Sequence, residues 1–259
     1  MKIAVTGKGG VGKSTVTGLL ARALAAEGWQ VMAIDADPDA NLASAIGLPA
    51  DRLADLKPIS KMVDLAKERT GADGAGNHFI LNPKVDDIPD GFSVDHAGVK
   101  LLRMGTVDHA GTGCVCPEHA LIRTLLRHIL TRRREAVLID MEAGIEHFGR
   151  GTVENVDLLV IVVEPGSRSF QTATQIETLA RELGIANLAF VANKVDSAED
   201  EAFVLENTAG RELLAVFPLD PQVQAADRRG QSFYDHPGGP ARAAELACAL
   251  QKRLEVQGV

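Results

Sequence analysis

The sequence lacks three features that would point to common classes of function. Its three cysteines, an odd number in 259 residues, do not indicate a disulfide framework. Lysine and arginine number 27 against 35 acidic residues, and the net charge of −8 argues against a general electrostatic grip on nucleic acid. No apolar run is long enough to cross a membrane, and the first residues run straight into a predicted strand, which leaves no room for a signal peptide. These absences favour a cytoplasmic protein with reduced thiols.

Short apolar runs alternate with helical patterns along the chain. The runs are rich in Val, Ile and Leu, which is typical of strands buried on both faces of a mostly parallel sheet. Strands are predicted at Ile3–Thr6, Val31–Asp35, Val137–Asp140, Leu158–Val163 and Leu188–Asn193, and helices at Lys13–Glu27, Pro117–Arg133 and Ser169–Leu183. This alternation predicts an α/β fold with a doubly wound, mostly parallel sheet flanked by helices. Because no repeat or linker interrupts it, we interpret residues 1–259 as one domain.

Less regular segments complete this prediction. Ala72–Asn77 and Asp86–Gly91 are predicted loops, near which extra strands could add an antiparallel edge to the sheet. Ala241–Gln257 is predicted to be an amphipathic helix that packs on the domain, because its polar face mixes both charge signs and does not suit a membrane anchor. Cys248 is interpreted as a small core residue of that helix.

A phosphate-binding loop follows the first strand and opens a helix, which is the context that its pattern requires. The residues from Gly7 to Thr15 read GKGGVGKST. Backbone N–H groups of such a loop and the helix N-terminus surround nucleotide phosphates, Lys13 would reach the β- and γ-phosphates, and Ser14 would ligate Mg²⁺. The sequence therefore predicts a P-loop NTPase. Its nucleotide-binding residues in this loop are Gly9, Gly10, Val11, Gly12, Lys13, Ser14 and Thr15.

A second lysine, Lys8, stands early in this loop. By this feature the sequence resembles the deviant Walker A ATPases, a group that includes nitrogenase iron protein, the cell-division ATPase MinD and the arsenite pump ATPase. The resemblance implies a homodimer in which Lys8 reaches the nucleotide of the other chain and takes part in catalysis, as a second cation would in the manner of an arginine finger. The alternative is a solvated lysine in a glycine-rich loop.

The resemblance also assigns the first switch to the segment DADPDAN, from Asp35 to Asn41. It implies that the catalytic Asp37 orients or deprotonates the attacking water. It further implies that Asn41 helps to order Mg²⁺, although the iron protein has an acid at that position. Asp35 and Asp39 are interpreted as helix-capping or surface acids.

The predicted strand Val137–Asp140 ends in an acid, as a Walker B segment does, so that Asp140 would hold Mg²⁺ through water. Four residues further, Gly144 completes an Asp-x-x-x-Gly second switch and can offer its N–H to the γ-phosphate. His147 is interpreted as a surface or core histidine.

One motif bears on whether the nucleotide base is adenine or guanine. Asn193-Lys194-Val195-Asp196 matches the Asn-Lys-x-Asp pattern with which GTPases read guanine. Asn-Lys also occurs in the deviant Walker A ATPases, where the asparagine touches adenine, and Phe217–Pro221 resembles the loop with which those ATPases close over the base. By this resemblance Asn193, Pro218 and Asp220 belong to the base site, and ATP is favoured over GTP.

Two cysteines, Cys114 and Cys116, stand one residue apart in a glycine-rich stretch before a helix predicted from Pro117. Side chains at i and i+2 of an extended segment point the same way, and a nearby helix N-terminus lowers the pKa of a thiol. One pair is too few ligands for a closed metal site, but two chains related by a two-fold axis would bring four thiolates together. Such a site suits Zn²⁺ or Ni²⁺. The alternative is an incidental pair of reduced cysteines.

Six motifs together resemble a narrower family, the CooC-type accessory ATPases that insert nickel into carbon monoxide dehydrogenase. They are GKGGVGKST, DADPDANLASAIG, HFILNP, GCVCPEHALIRTLL, LIDMEAGIEHFGRGT and VVEPGSRS, and the resemblance runs from residue 1 to about residue 230. It implies a Mg²⁺-dependent, dimeric ATPase with ATP or ADP as ligand. It also implies that the dimer binds Ni²⁺, with Zn²⁺ possible, at the shared cysteines and acts on the carbon monoxide dehydrogenase apo-enzyme.

Two departures separate the sequence from related ATPases. Asp140–Gly151 contains no cysteine, whereas iron proteins need one there for their cluster, so a bridged [4Fe–4S] cluster is disfavoured. The lysine-bearing membrane helix of MinD has no counterpart at the C-terminus. A positioning ATPase of MinD or ParA type, which predicts a basic patch, and an electron donor of iron-protein type, which predicts a brown protein, stay open as alternatives.

Overall fold

The computed structural model describes residues 1–71, 80–105, 117–128, 134–142 and 156–257. The strands in these ranges are β1 (Lys2–Gly7), β2 (Gln30–Ala36), β3 (Val94–His96), β4 (Val99–Arg103), β5 (Glu135–Met141), β6 (Leu158–Val163), β7 (Leu188–Val195) and β8 (Leu213–Pro218). The helices are α1 (Lys13–Ala26), α2 (Leu42–Ile46), α3 (Val63–Thr70), α4 (Ile88–Phe92), α5 (Pro117–His128), α6 (Ser167–Glu182), α7 (Ala198–Asn207), α8 (Pro221–Asp227) and α9 (Gly239–Gln257). The predicted loop at Ala72–Asn77 lies outside the described residues.

One sheet of eight strands runs through the molecule in the order β3-β4-β2-β5-β1-β6-β7-β8. All neighbouring pairs are parallel except β3 and β4, which form an antiparallel hairpin at one edge. The hairpin turns at Ala97 and Gly98, which both have positive φ (49° and 78°), as its tight connection requires. The predicted α/β fold with a mostly parallel sheet is confirmed, and so is the antiparallel edge.

Two apolar layers cover the two faces of this sheet. Alternate residues of β1 belong to different layers: Ile3 and Val5 pack with α1, α2 and α9, whereas Ala4 packs with α3, α5, α6 and α7. All residues of β1 and β6 are buried, because parallel strands flanked by helices have no face in water. The central strands are therefore held rigidly, and they place their carboxyl ends at one edge of the sheet.

The C-terminal helix α9 packs on α1 through Leu246, Leu250 and Leu254, as predicted. The interpretation of Cys248 as a core residue is wrong, because its side chain is exposed. Cys248 lies two positions from both Leu246 and Leu250, and two residues turn an α-helix through about 200°. Among the described residues, none of the helices has the length and apolarity needed to span a membrane.

The predicted loop Asp86–Gly91 is partly wrong, because the short helix α4 begins at Ile88. Pro89 stands in its first turn, where its fixed φ and missing N–H suit a helix start. The sequence pattern of Pro, Asp and Gly therefore marks the beginning of a helical turn here. Helix α5 is described to His128, and the remainder of the predicted helix to Arg133 lies outside the described residues.

Candidate nucleotide-binding site

The carboxyl ends of the parallel strands bring the predicted site residues together. The phosphate-binding loop leaves β1 after Gly7, the first switch begins at the end of β2, Asp140 lies near the end of β5, and Asn193 lies near the end of β7. Since β1 stands between β5 and β6, the loop lies in the middle of this edge. Residues far apart in the sequence therefore meet around it.

The phosphate-binding loop fits tightly against the strands beside it. Gly7 has a φ of 148°, and a Cβ there would lie 2.3 Å from the backbone oxygen of Val162. Gly12, the residue before α1, has a φ of 100°, and a Cβ there would lie 2.3 Å from Nδ2 of Asn193. These two glycines are required by the close approach of β6 and β7 to the loop. Gly9 and Gly10 are exposed at the tip of the loop.

Lys13 and Asp37, two predicted catalytic residues, contact each other. Lys13 is 7% exposed, and its Nζ lies 3.5 Å from Oδ2 of Asp37. The other carboxylate oxygen of Asp37 accepts a hydrogen bond of 3.0 Å from the backbone N–H of Asp39. The first switch therefore rests on the phosphate-binding loop through an ion pair.

Asp35 holds both ends of the first switch. Its carboxylate accepts hydrogen bonds from the backbone N–H of Asp37 (3.3 Å) and of Leu42 (3.1 Å), the first residue of α2. Its side chain is fully buried, and burial raises the pKa of Asp35 to about 6 in spite of these hydrogen bonds. Asp35 accepts a hydrogen bond from the first N–H of α2, as expected of a helix-capping acid. It is not a surface acid, because β4 and α2 cover this end of β2. Asp39 is exposed, as expected. The residue after Asp39, Ala40, has a φ of 48°, in the left-handed region that alanine rarely adopts.

Asp140 is a buried carboxylate that is incompletely satisfied. Its Oδ1 accepts a hydrogen bond of 3.4 Å from Thr17, and Ser14 also hydrogen-bonds to the carboxylate. Its Oδ2 is buried and has no hydrogen-bond partner among the described residues. Burial raises the pKa of Asp140 to about 7, and the negative charge of Asp35 adds to the rise. A buried carboxylate oxygen without a partner is costly unless a cation or its bound water meets it.

These donors fit Mg²⁺. A serine hydroxyl beside a carboxylate is the protein's share of a magnesium site whose other ligands are phosphate oxygens and water. Within the described ranges, no group of three or more His, Cys, Asp or Glu side chains could hold a metal ion by itself. The arrangement of Ser14 and Asp140 therefore suits a cation that arrives with a nucleotide.

Helix α2, which follows the first switch, is fixed to its surroundings. Gly18 of α1 lies so close to Ala45 that a Cβ would be 2.7 Å from the backbone oxygen of Ala45. That oxygen also accepts a 2.6 Å hydrogen bond from Ser232, and Arg22 donates to the backbone oxygen of Ile46 at 2.8 Å. Helix α2 is thereby anchored to α1 and to Ser232.

Asn41 precedes α2 and is exposed. With Ser14 and Thr15 it lines a cavity of about 60 Å³, to which Asp227 also contributes. The structure thus brings Asn41 close to the predicted magnesium ligand.

The two segments predicted to surround the base lie side by side. The amide nitrogen of Asn193 donates a 2.8 Å hydrogen bond to the backbone oxygen of Val11. The backbone N–H of Leu219 donates to the backbone oxygen of Val195 at 3.0 Å, which places Pro218 next to this segment. Asp220 caps α8 by accepting from the backbone N–H of Gln222. Its carboxylate also pairs with Arg242 at 3.0 Å.

Glu164, at the end of β6, is a site residue that sequence reasoning missed. One of its carboxylate oxygens lies 3.2 Å from Nζ of Lys8, and the other lies 3.3 Å from Nζ of Lys194. Lys194 also donates to the backbone oxygen of Gly10. The available signal was an acid directly after an apolar strand, the same signal that identified Asp140.

These features match a known family over most of the chain. A family model described as the CobQ/CobB/MinD/ParA nucleotide-binding domain matches residues 2–233. This chain belongs to the CobQ/CobB/MinD/ParA family. The matched model describes a nucleotide-binding domain.

Two relatives are similar to this chain over most of its length. The carbon monoxide dehydrogenase accessory protein CooC of Rhodospirillum rubrum is 67% identical over 262 residues, which cover 100% of both chains. An uncharacterised ATP-binding protein of Methanocaldococcus jannaschii is 43% identical over 89% of this chain and 90% of its own length. The resemblance to CooC that the motifs indicate is thereby confirmed.

Solved structures of the family confirm the fold. The septum site-determining protein MinD of Pyrococcus horikoshii, a complex with Mg-ADP, aligns with a TM-score of 0.68 over 98% of this chain and 97% of its own. Its sequence identity of 21% is low, so this likeness concerns the fold alone.

Several predicted site residues are outside the described part of the chain. They are Cys114, Cys116 and Gly144. His147, which we interpret as a surface or core histidine, also lies outside the described residues. The residues that flank the cysteine segment are described. The backbone N–H of Met104 donates to the backbone oxygen of Asp35 at 2.8 Å. The backbone oxygen of Met104 in turn accepts from the backbone N–H of Ser60 at 2.9 Å. The strand that leads to the cysteines is thus bonded directly to the strand that leads to the first switch.

Proposed function

We propose that this protein is a Mg²⁺-dependent ATPase that pairs around nucleotide and binds Ni²⁺ through Cys114 and Cys116 of both chains. In this proposal it hydrolyses ATP to ADP and phosphate and assists nickel insertion into the carbon monoxide dehydrogenase apo-enzyme. The observation that carries the proposal is the 67% identity, over both full lengths, with an accessory protein of carbon monoxide dehydrogenase. The chain is proposed to act as one domain in the cytoplasm.

The phosphate side of the site supports ATP hydrolysis. Lys13 lies at the N-terminus of α1, where the helix dipole and backbone N–H groups favour phosphate. Asp37 is held within 3.5 Å of Lys13 and would position the attacking water once the phosphates engage that lysine. Ser14 and Asp140 would hold Mg²⁺, which supplies positive charge against the charge that develops on the phosphates. Gly144 is proposed to complete this site.

The contacts of Asn193 support adenine over guanine. Its amide nitrogen donates one of its two N–H groups to the backbone oxygen of Val11, and its carbonyl oxygen can accept a hydrogen bond from an amino group of the base. Adenine presents an amino group at the position where guanine presents a carbonyl oxygen. An acceptor therefore suits ATP, and competition between ATP and GTP for one labelled nucleotide measures the preference.

The exposed side of the phosphate-binding loop supports pairing. Gly9 and Gly10 are exposed, and the side chain of Lys8 beside them is 36% exposed. A second chain that approaches this surface would bring its own nucleotide within reach of Lys8. In this proposal the same pairing also brings together the two cysteine segments, each of which follows β4 in the sequence.

In this proposal the metal site is coupled to the nucleotide site through the backbone. Met104 is bonded to Asp35, and Asp35 holds the first switch. A change in the first switch on hydrolysis would therefore reach Met104, which precedes Cys114 and Cys116 in the sequence. A switch of this kind needs only a few kcal/mol of differential binding between states.

The test is an anaerobic titration of the reduced apo-protein with Ni²⁺, without nucleotide and with ADP or ATP, while charge-transfer absorption and molar mass are recorded together. We expect one Ni²⁺ per pair of chains with sulfur-to-nickel bands. Cys114→Ala with Cys116→Ala should abolish this binding and spare most of the nucleotide binding. Cys248→Ala is the matched control, because it removes the exposed third thiol and leaves the proposed site intact.

Tight nickel binding by the double variant would contradict the metal site. Absence of nickel binding by the wild type, with ATP hydrolysis retained, would leave only an ATPase of this family with an unidentified client. A brown preparation with iron–sulfur absorption would instead favour electron donation.

A further inference from the structure

We propose that Glu164 is a positioning residue that holds Lys8 within its own chain and thereby sets the ATP concentration at which two chains pair. The inference rests on the proposed function, because it concerns the lysine that would reach the nucleotide of the other chain. Glu164 touches no reacting group itself and would act through Lys8.

The carboxylate of Glu164 is shared by two lysines. Lys8 approaches one oxygen at 3.2 Å and Lys194 approaches the other at 3.3 Å. Burial opposes ionisation of Glu164, but the hydrogen bond from Lys8 and the charge of Lys194 outweigh it and lower the pKa of this carboxyl. Glu164 is therefore an anion at neutral pH and attracts both ammonium groups.

The position of Glu164 is fixed by its surroundings. It follows the fully buried strand β6, and its backbone N–H donates to the hydroxyl of Ser169 in the first turn of α6 at 3.0 Å. Lys194 is fixed as well, because it also donates to the backbone oxygen of Gly10. In the described part of the chain, the ammonium of Lys8 has one anchor, Glu164, whereas that of Lys194 has two.

This asymmetry makes Lys8 the releasable partner. When the phosphates of another chain attract Lys8, Glu164 keeps Lys194 on its second oxygen, so the carboxylate is not left without a cation. Release of Lys8 therefore costs one partly exposed ion pair and creates no isolated buried charge. The contact opposes pairing without preventing it.

The size of the effect follows from the exposure of the pair. Lys8 is 36% and Glu164 25% exposed, so the contact belongs among the weaker ion pairs. A contact of this class is worth about two- to fivefold in an equilibrium constant. Two chains release two contacts on pairing, so loss of Glu164 should raise the pairing constant about four- to 25-fold.

The test compares Glu164→Gln with the wild type and with Glu177→Gln. Glu177 is the matched control, because it is also a partly buried carboxylate in an ion pair, at 2.7 Å from Arg211, and lies on α6 away from the phosphate-binding loop. Molar mass by light scattering and hydrolysis rate are measured against ATP concentration. Acetylation of Lys8 by a limiting acyl donor is measured by mass spectrometry without nucleotide, with the exposed Lys252 as internal reference.

We expect Glu164→Gln to raise acetylation of Lys8 and to lower the ATP concentration for pairing and for half-maximal hydrolysis. Glu164→Ala should act in the same direction, and Glu177→Gln should match the wild type. Unchanged acetylation of Lys8 would overturn the contact, and an unchanged or raised pairing threshold would overturn its regulatory role. If the wild type and all variants stay single chains in saturating ATP, the proposed dimer fails and the pairing role of Glu164 fails with it. Failure of the inference alone is recognised by a wild type that pairs at the same threshold as Glu164→Gln.

Discussion

The two flanks of the phosphate-binding loop differ in charge. Toward β5 and β2 lie the buried carboxylates Asp140 and Asp35, whose pKa values are raised by burial to about 7 and about 6. Toward β6 and β7 lie Lys8 and Lys194, which share the single carboxylate of Glu164. The flank at β5 and β2, the acidic flank, therefore has carboxylates that lack a paired cation in the described part of the chain. The flank at β6 and β7, the basic flank, has two lysines for one carboxylate. In the proposed function, Mg²⁺ would meet the carboxylate of Asp140, and the phosphates of the other chain would attract Lys8.

The largest expected effect comes from the acidic flank. Asp140→Asn should lower kcat/KM for ATP about 10- to 100-fold, as removal of a group that holds a metal through water commonly does. Raised Mg²⁺ should recover part of the loss. The measurement is the hydrolysis rate at several Mg²⁺ concentrations, with Asp39→Asn as the matched control at an exposed carboxylate of the same edge. A loss in Asp140→Asn that does not respond to Mg²⁺ would remove the metal from the account of this flank.

The next effect concerns stability in the absence of metal. The pKa of Asp140 rises from its ordinary value of 3.8 to about 7 on folding, so between these pH values the folded chain binds more protons than the unfolded chain. The free energy of unfolding should therefore fall as pH rises from about 4 to about 7, by on the order of 1–2 kcal/mol more in the wild type than in Asp140→Asn. Urea unfolding in a chelator without nucleotide measures this difference.

Saturating Mg²⁺ and nucleotide should shrink that difference, because a bound cation favours the ionised carboxylate. Equal pH dependence of the wild type and Asp140→Asn without metal would show that Asp140 does not gain a proton in the folded protein.

The smallest effect comes from the basic flank. Lys194→Met should weaken ATP and ADP binding about three- to tenfold, because the phosphate-binding loop loses the hydrogen bond at Gly10. This loss should be the same with and without Mg²⁺, unlike that of Asp140→Asn. Calorimetric titration under both conditions gives the comparison. A Mg²⁺-dependent loss in Lys194→Met would mean that the two flanks do not act separately.

Patterns that are local in sequence predicted the sheet and the phosphate-binding loop. β1 and β6 are buried on both faces, so their apolar runs are continuous and their limits are nearly those predicted. The glycine loop was recognisable because it carries its own strand and helix. The prediction for Cys248 was wrong because Leu246 and Leu250 form the buried face of α9, and a residue two positions from each of them lies on the opposite, exposed face.

Contacts between distant residues were not predictable in the same way. Asn193 was assigned to the base by resemblance, but its bond to Val11 joins residues 182 positions apart. The raised pKa of Asp35 depends on the elements that cover β2, and the role of Glu164 depends on two lysines from different loops. A single sequence shows the chemical type of such residues, but the contacts between them become known only from the folded structure.

Ala40 gives the first switch a small store of energy. Its φ of 48° is a conformation that costs a non-glycine residue about 1 kcal/mol. Because Asp35 precedes Ala40 and the anchored helix α2 follows it, this cost is confined to the few backbone bonds between them. Any arrangement of the switch that returns Ala40 to a negative φ begins with that advantage, whichever nucleotide is bound. The balance between resting and engaged switch can therefore be tuned by a single methyl group that touches neither phosphate nor metal.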